Sequence, residues 1–210
     1  MERLLYARLG LRIDYKPSRR NVRTVSMGGK ITVLIGSSRA DGNSAGIAKI
    51  IADECLAAGK DVKVYHLAKI EGLGGCRACD GCKAAGRCIT KDATYPILQS
   101  ISESDGIVIA TPLYFNAESG WLKLVLDRFY SFLDGDFRTF LSGKQKAVIA
   151  ISCMTGEESA LRCAAHLKQV CTMCGINHAG TLTVSIPGGG KGPLPPDAVG
   201  RAKDLAHELI

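Results

Sequence analysis

Four cysteines crowd into thirteen residues as Cys76-x2-Cys79-x2-Cys82-x5-Cys88. Two consecutive C-x2-C steps set three thiolates around one compact centre, and a fourth arrives after a short loop. That suits a cubane iron–sulfur (4Fe–4S) cluster, which takes four cysteine ligands. A structural zinc ordinarily uses two separated knuckles joined by a longer spacer, so shared ligand steps fit it poorly. Two other readings of the same row stand beside the cluster: unmetallated thiols, and a cysteine-based redox sensor that oxidises reversibly. The chain has nine cysteines in all. The odd count, the crowding and the interruption of the early apolar stretch by Arg8 and Arg12 argue against a secreted disulfide framework. A reducing, cytoplasmic setting is expected.

Cys171-x2-Cys174 imitates a redox pair, but it ends a predicted helix just before Gly175. There the helix dipole disfavours a thiolate. These two, with Cys55, Cys153 and Cys163, are expected to be small buried hydrophobes. His66, His166, His178 and His207 share no ligand-like spacing.

A second chemistry-bearing stretch is Gly36-Ser37-Ser38-Arg39-Ala40-Asp41-Gly42-Asn43-Ser44, which runs from an apolar strand straight into a helix. No Gly-Lys-Ser/Thr follows, so it is not a Walker loop, and it lacks the G-x-G-x-x-G of a dinucleotide fold. A hydroxyl-rich loop at a helix N-terminus suits a terminal phosphate, with backbone N–H groups, the dipole, Ser hydroxyls and a guanidinium fork converging on it. Ser37, Arg39, Asn43 and Ser44 are the candidate ligands. Asn43 or Ser44 is also expected to cap the helix, which is compatible. A third stretch, Thr111-Pro112-Leu113-Tyr114-Phe115-Asn116, follows another apolar strand. Thr111 and Asn116 can offer hydroxyl and amide groups to the polar edge of a ring, and Tyr114 and Phe115 offer aromatic surface. Packing of the next helix is the alternative. Residues 152–158 should close a third side, with Glu157 and Glu158 as first-turn partners of a helix dipole.

The elements that must position these loops follow from the apolar pattern. Residues 31–35, 106–110 and 147–151 are continuous apolar runs, as in strands buried on both faces. A shorter strand is expected around Val62 and Val64, and a fifth over 180–186. Helical periodicity covers 44–58, 122–132, 157–174 and 197–209. Alternating strands and helices imply a parallel sheet covered on both sides, with ligands beyond the carboxyl ends of the strands. The loops after strands one, three and four are therefore the places to look.

With those residues in view, the chain resembles the flavodoxin-like NAD(P)H-dependent FMN reductases. Residues 31–48 are similar to that family's opening strand, phosphate loop and helix. Thr111 to Asn116 resembles its T-P-x-Y-F loop, and Gly120-Trp121-Leu122-Lys123 through Asp127-Arg128 resembles its G-x-L-K-x-x-x-D-R helix. The cysteine segment matches one found in many members and in the iron–sulfur flavoprotein branch, although members without a cluster carry similar rows. The resemblance implies a doubly wound five-stranded parallel sheet in the order 2-1-3-4-5, with helices on both faces. It also implies bound FMN that does the electron chemistry, NAD(P)H as hydride donor, and a small-molecule or protein acceptor. On that reading no acid or base residue is needed for catalysis. A 4Fe–4S cluster on the four thiols would instead make the protein an electron carrier. Similar flavoproteins are dimers or tetramers. The apolar residues Trp121, Leu122, Leu124, Val125, Phe129 and Phe132 exceed what one sheet face needs, so a homodimer or homotetramer interface is expected there.

Composition narrows the rest. In 210 residues, 46% are hydrophobic and 22% charged, as in an ordinary globular chain, and no run approaches the ~20 apolar residues of a membrane span. The net charge of +7 invites a nucleic-acid partner, but residues 1–30 hold eight basic and two acidic side chains against 19 and 18 in the rest. The excess thus marks residues 1–30 as an extension to a domain spanning 31–210, and neither a nucleic acid nor a membrane is expected as partner. Alternating Leu9, Leu11, Ile13 and Tyr15 suggest a strand that turns at Pro17 into a hairpin arm. An Arg-rich transit segment, or an upstream start ahead of Met27, are the other readings of it.

Overall fold

The computed structural model describes residues 28–154, 156–186 and 192–210. The expected N-terminal arm and most of the Gly/Pro-rich segment before Pro195 lie outside the described residues. Five strands, β1 (Lys30–Ile35), β2 (Asp61–His66), β3 (Gly106–Pro112), β4 (Lys146–Cys153) and β5 (Asn177–Ser185), form one parallel sheet in the order β2-β1-β3-β4-β5. Between them run α1 (Asn43–Ala57), α2 (Gly81–Ala85), α3 (Tyr95–Glu103), α4 (Gly120–Asp127), α5 (Glu157–Met173) and α6 (Pro196–His207).

Strand pleating sorts side chains to the two faces. Ile31, Val33, Ile35, Val108 and Ala110 pack under α1 and α6, and Leu34, Ile107, Ile109 and Ile149 pack under α3, α4 and α5. Burial on both faces is why these strands read as continuous apolar runs rather than alternating ones. Between β1 and α3, a buried hydroxyl trio breaks the apolar pattern: Thr32 Oγ1 lies 2.7 Å from Ser100 Oγ and 2.6 Å from Ser104 Oγ, so each polar atom is satisfied inside the core.

Three features depart from the sequence expectation. First, α3 and the short α2 fill the β2–β3 crossover, where the cysteine row masks the helical pattern. A right-handed parallel crossover needs such a covering element. The Pro at the start of α3 suits a first helical turn. Second, the apolar helix expected over 122–132 is α-helical only to Asp127 and tightens into a 3₁₀ stretch, Arg128–Phe132. Third, its apolar surplus is mostly consumed within the chain. Leu122, Val125, Phe129 and Phe132 are buried in the core, and Trp121 remains substantially exposed. Among the described residues, no helix is long and apolar enough to cross a membrane.

Candidate cofactor site

The sheet order reverses direction between β1 and β3, and the loops after those strands lie side by side at its carboxyl edge. Gly36 N donates to the Ala110 carbonyl at 2.8 Å, which continues the ladder into the loop. Gly36 has to be glycine. A Cβ there would stand 2.7 Å from Ser119 Oγ and 3.1 Å from both Leu122 Cβ and Thr111 Oγ1. Ser119 explains the close approach. Its hydroxyl donates to the Gly36 carbonyl at 2.7 Å and accepts from Leu122 N at 3.2 Å, so the residue that caps α4 also clamps the loop after β1.

Past Gly36 the chain turns on Ser37, whose hydroxyl donates to the Arg39 carbonyl and accepts from Arg39 N, both at 3.1 Å. Ser37, Asn43 and Ser44 are buried, and Arg39 is exposed at the rim. The expected cap on α1 does not form. Gly42 occupies the N-cap position in extended geometry, and among the described residues no side-chain cap bond is made there. Glycine suits this place because a Cβ would lie 3.0 Å from Ser37 Oγ and 3.2 Å from Arg39 Cβ. A helix start that no side chain caps turns backbone donors and the positive dipole end toward the loop, which fits an anionic phosphate. Ser44 Oγ pairs instead with Ser152 Oγ at 2.7 Å and draws the end of β4 to the same place. His66, at the end of β2, has its imidazole held below the usual histidine range by burial, against the opposing influence of the Ser37 backbone. Its Nε2 is buried without a hydrogen-bond partner among the described residues.

The loop after β3 has a distinct geometry. Tyr114 N donates to the Ala117 carbonyl at 2.8 Å, and Ala117 N returns a bond at 3.0 Å. Phe115 and Asn116 sit between them with φ of +48° and +67°, the signature of a primed two-residue turn. Asparagine tolerates that region, but a bulky aromatic there is strained. The Phe115 ring is nonetheless fully exposed, and Tyr114 is exposed beside it. Thr111 lies beneath this surface. It is fully buried, accepts from Ser119 N at 3.1 Å and donates to the Pro112 carbonyl at 3.0 Å. Its hydroxyl thus helps to shape the turn. Pro112 and Leu113 are half-buried, Leu113 packs on the core, and Leu113 N donates to the Ser152 carbonyl at 2.8 Å. On the third side, Glu157 accepts from Thr183 Oγ1 and Glu158 pairs with Arg162 on the solvent face of α5.

The cysteine segment forms a separate recess. Thr94 closes its base, donating to the Gly74 carbonyl at 2.8 Å and accepting from Gly74 N at 3.0 Å. Within the loop, Ala78 and Asp80 hold left-handed φ of +50° and +53°, a local cost of about 1–3 kcal/mol each. Those bends bring Cys76, Cys79, Cys82 and Cys88 to one solvent-open recess, together with Arg128 and Tyr130. Lys83 pins α2 to the 3₁₀ stretch. Its ammonium donates to the Tyr130 and Leu133 carbonyls at 3.1 and 2.8 Å and stands 3.3 Å over the Tyr130 ring. Burial pushes the Cys82 thiol up, against the pull of Lys83.

The donor set is all thiol, with no disulfide among the described residues. Among those residues no group of three or more His, Cys, Asp or Glu side chains is placed to hold a metal ion. A zinc needs its sulfurs about 2.3 Å from a single point, whereas a cubane takes one thiolate per iron and leaves them spread. All four thiols line the one recess, so the donor set can supply one thiolate for each iron of a cubane. The remaining five cysteines are buried, as expected, and burial raises the thiols of Cys163 and Cys171 to about 12 and of Cys55 and Cys174 to about 11.

Sequence reasoning missed Ser119, Asp92 and the role of Arg128. Only Ser119 carried a local signal, a serine directly ahead of an apolar helical run. Asp92 and Arg128 meet across 36 residues of sequence.

Comparison with known proteins places the chain in a family and matches its fold. The family model described as NADPH-dependent FMN reductase matches residues 29–191. An iron-sulfur flavoprotein of Archaeoglobus fulgidus is 34% identical over 96 residues, covering 46% of this chain and 47% of that one. One from Methanocaldococcus jannaschii is 32% identical over 99 residues, covering 47% and 51%. The chain thus spans about half the length of these curated relatives. Among solved structures, an NAD(P)H:quinone oxidoreductase from Methanothermobacter marburgensis superposes with a TM-score of 0.67 at 17% identity, covering 87% of this chain and all of that one. An azoreductase from Bacillus anthracis gives 0.63 at 16%, covering 86% and 99%. At such identities the superpositions speak to the fold.

Proposed function

Since the chain belongs to the NADPH-dependent FMN reductase family, we propose that it is an oxidoreductase in which NAD(P)H reduces bound FMN and a small-molecule or protein acceptor takes the electrons. The observation that carries this is the switch point at the carboxyl edge of the sheet. A helix start that no described side chain caps, a glycine at position 36 with no room for a Cβ, a closely packed Gly42, and a strained exposed aromatic converge there. When bound, FMN supplies the electron chemistry, and the chain supplies its position. Ser37, Arg39, Asn43 and Ser44 would hold the terminal phosphate at the start of α1. Tyr114, Phe115 and Asn116 would flank the ring, with Thr111, Pro112 and Leu113 setting the turn beneath them. No side-chain acid or base is required. Anaerobic purification followed by an optical spectrum tests the reading. Flavin bands that bleach rapidly with NADH or NADPH are expected, and a colourless protein or an unreactive flavin would refute it.

A second reading is favoured by the recess. Cys76, Cys79, Cys82 and Cys88 would hold a 4Fe–4S cluster, and the protein would carry single electrons as well as pairs. The geometry supporting it is α4, whose capping Ser119 grips the loop after β1 while Arg128, nine residues on, grips the cysteine loop. That separation is roughly 13 Å along the helix. Iron and sulfide assays decide this reading: flavin without iron refutes it. Assembly as a homodimer or homotetramer through what stays exposed of the apolar segment after Gly120, chiefly Trp121, is part of the proposal, and a monomer in sedimentation at micromolar concentration would remove it.

A further inference from the structure

Arg128 joins the cysteine recess to the flavin-bearing frame, and its environment is unusual for a cation. Its side chain is 2% exposed. Nη2 donates to Cys88 Sγ and to the Thr90 carbonyl, both at 2.9 Å, and Nη1 donates to Asp92 Oδ2 at 2.8 Å and the Gly74 carbonyl at 3.2 Å. Nε is buried with no hydrogen-bond partner among the described residues. A guanidinium this deep is unfavourable unless opposite charge compensates it. Among the described residues Asp92 is its only carboxylate partner, and that group also accepts from Thr94 N at 3.1 Å. Its remaining bonds go to the Gly74 and Thr90 carbonyls and to the Cys88 sulfur.

We propose that Arg128 is a positioning residue for an iron–sulfur cluster on this recess: it fixes Cys88 by a charge-assisted N–H···S bond and through that bond raises the cluster's reduction potential. The inference rests on the cluster reading above. Added electron density on a cysteine sulfur strengthens a bond from a cationic donor, so the donor stabilises the reduced cluster over the oxidised one. Asp92 acts in the opposite sense, because it shares the same guanidinium and sets a negative charge beside it. The two residues therefore predict potential shifts of opposite sign, which a purely structural role would not produce.

The test uses the full chain with flavin bound, as parent, Arg128→Lys and Asp92→Asn, each reconstituted anaerobically with iron and sulfide. Folding is read by circular dichroism and flavin content, and the cluster potential by a redox titration followed by electron paramagnetic resonance. Lysine keeps the charge but lacks the fork that reaches Cys88 and Asp92 together. Arg128→Lys should lower electron affinity roughly tenfold, equivalent to about 59 mV for a one-electron couple, and Asp92→Asn should raise the potential. Shifts in the same direction, or none, with iron content intact would overturn the role of Arg128 alone. If Arg128→Lys does not fold, Asp92→Asn carries the test: a rise supports the proposal, and no change or a fall overturns it. Absence of iron from the parent would overturn the cluster reading and this inference with it.

Discussion

Phe115 offers a perturbation with two effects of opposite sign. Its φ of +48° places a bulky side chain in the left-handed region, at a cost of about 1–2 kcal/mol. The ring is fully exposed in the flavin-free protein, so it returns no burial to offset that cost. Asparagine accepts the left-handed region and is common in the primed turn that Tyr114 and Ala117 close. Phe115→Asn should therefore stabilise the flavin-free protein by about 1 kcal/mol, which raises Tm by about 2–4 °C in a chain of this size. The same change removes an aromatic face from the cofactor. Aromatic stacking is worth about 0.5–1.5 kcal/mol beyond area, so FMN should bind about two- to tenfold more weakly. Calorimetry of the flavin-free protein and an FMN titration by fluorescence quenching read the two effects separately. A lower Tm would show that the turn is not strained by its side chain. An unchanged FMN affinity would show that the ring does not meet the flavin.

The phosphate loop and the buried thiols give further tests. Gly36→Ala drives a Cβ against Ser119, Leu122 and Thr111, so it should destabilise by about 1–3 kcal/mol and lose FMN, as seen by calorimetry and flavin content. Ser37→Ala and Arg39→Ala should weaken FMN retention in dialysis while circular dichroism stays unchanged, because Arg39 lies at the exposed rim. The buried Cys163 and Cys171 should resist alkylation in the native protein and react once it is unfolded, whereas the exposed Cys76 and Cys79 of the metal-free protein react at once. Their titration also sets a pH dependence. Burial raises the folded thiols above the ordinary value of 9.0, so the folded state holds more protons than the unfolded chain at alkaline pH. Their contribution is intact below pH 9 and is lost as pH climbs toward about 12. Urea midpoints at pH 8 and pH 10.5 should fall in that order, and the fall should shrink when Cys163 and Cys171 are replaced by alanine in a background that folds.

Apolar runs at 31–35, 106–110 and 147–151 determined three central strands by themselves, because a strand buried on both faces needs no neighbour to declare its pattern. The loop compositions after β1 and β3 were legible for the same reason: a hydroxyl-rich turn into a helix and an aromatic turn out of a strand are local events. The tertiary structure alone decided what those residues do. It turned the Thr111 hydroxyl inward to Ser119, left α1 with no side-chain cap among the described residues, and spent most of the apolar face of α4 on the chain's own core. The row Cys76 to Cys88 announced its donor chemistry through spacing. That the four thiols share a recess, and that a buried Arg128 reaches Cys88 across 40 residues of sequence, depended on long-range packing. Local periodicity and composition carry information over a few residues, whereas a buried charge finds its partner only after the crossover helices have folded onto the sheet.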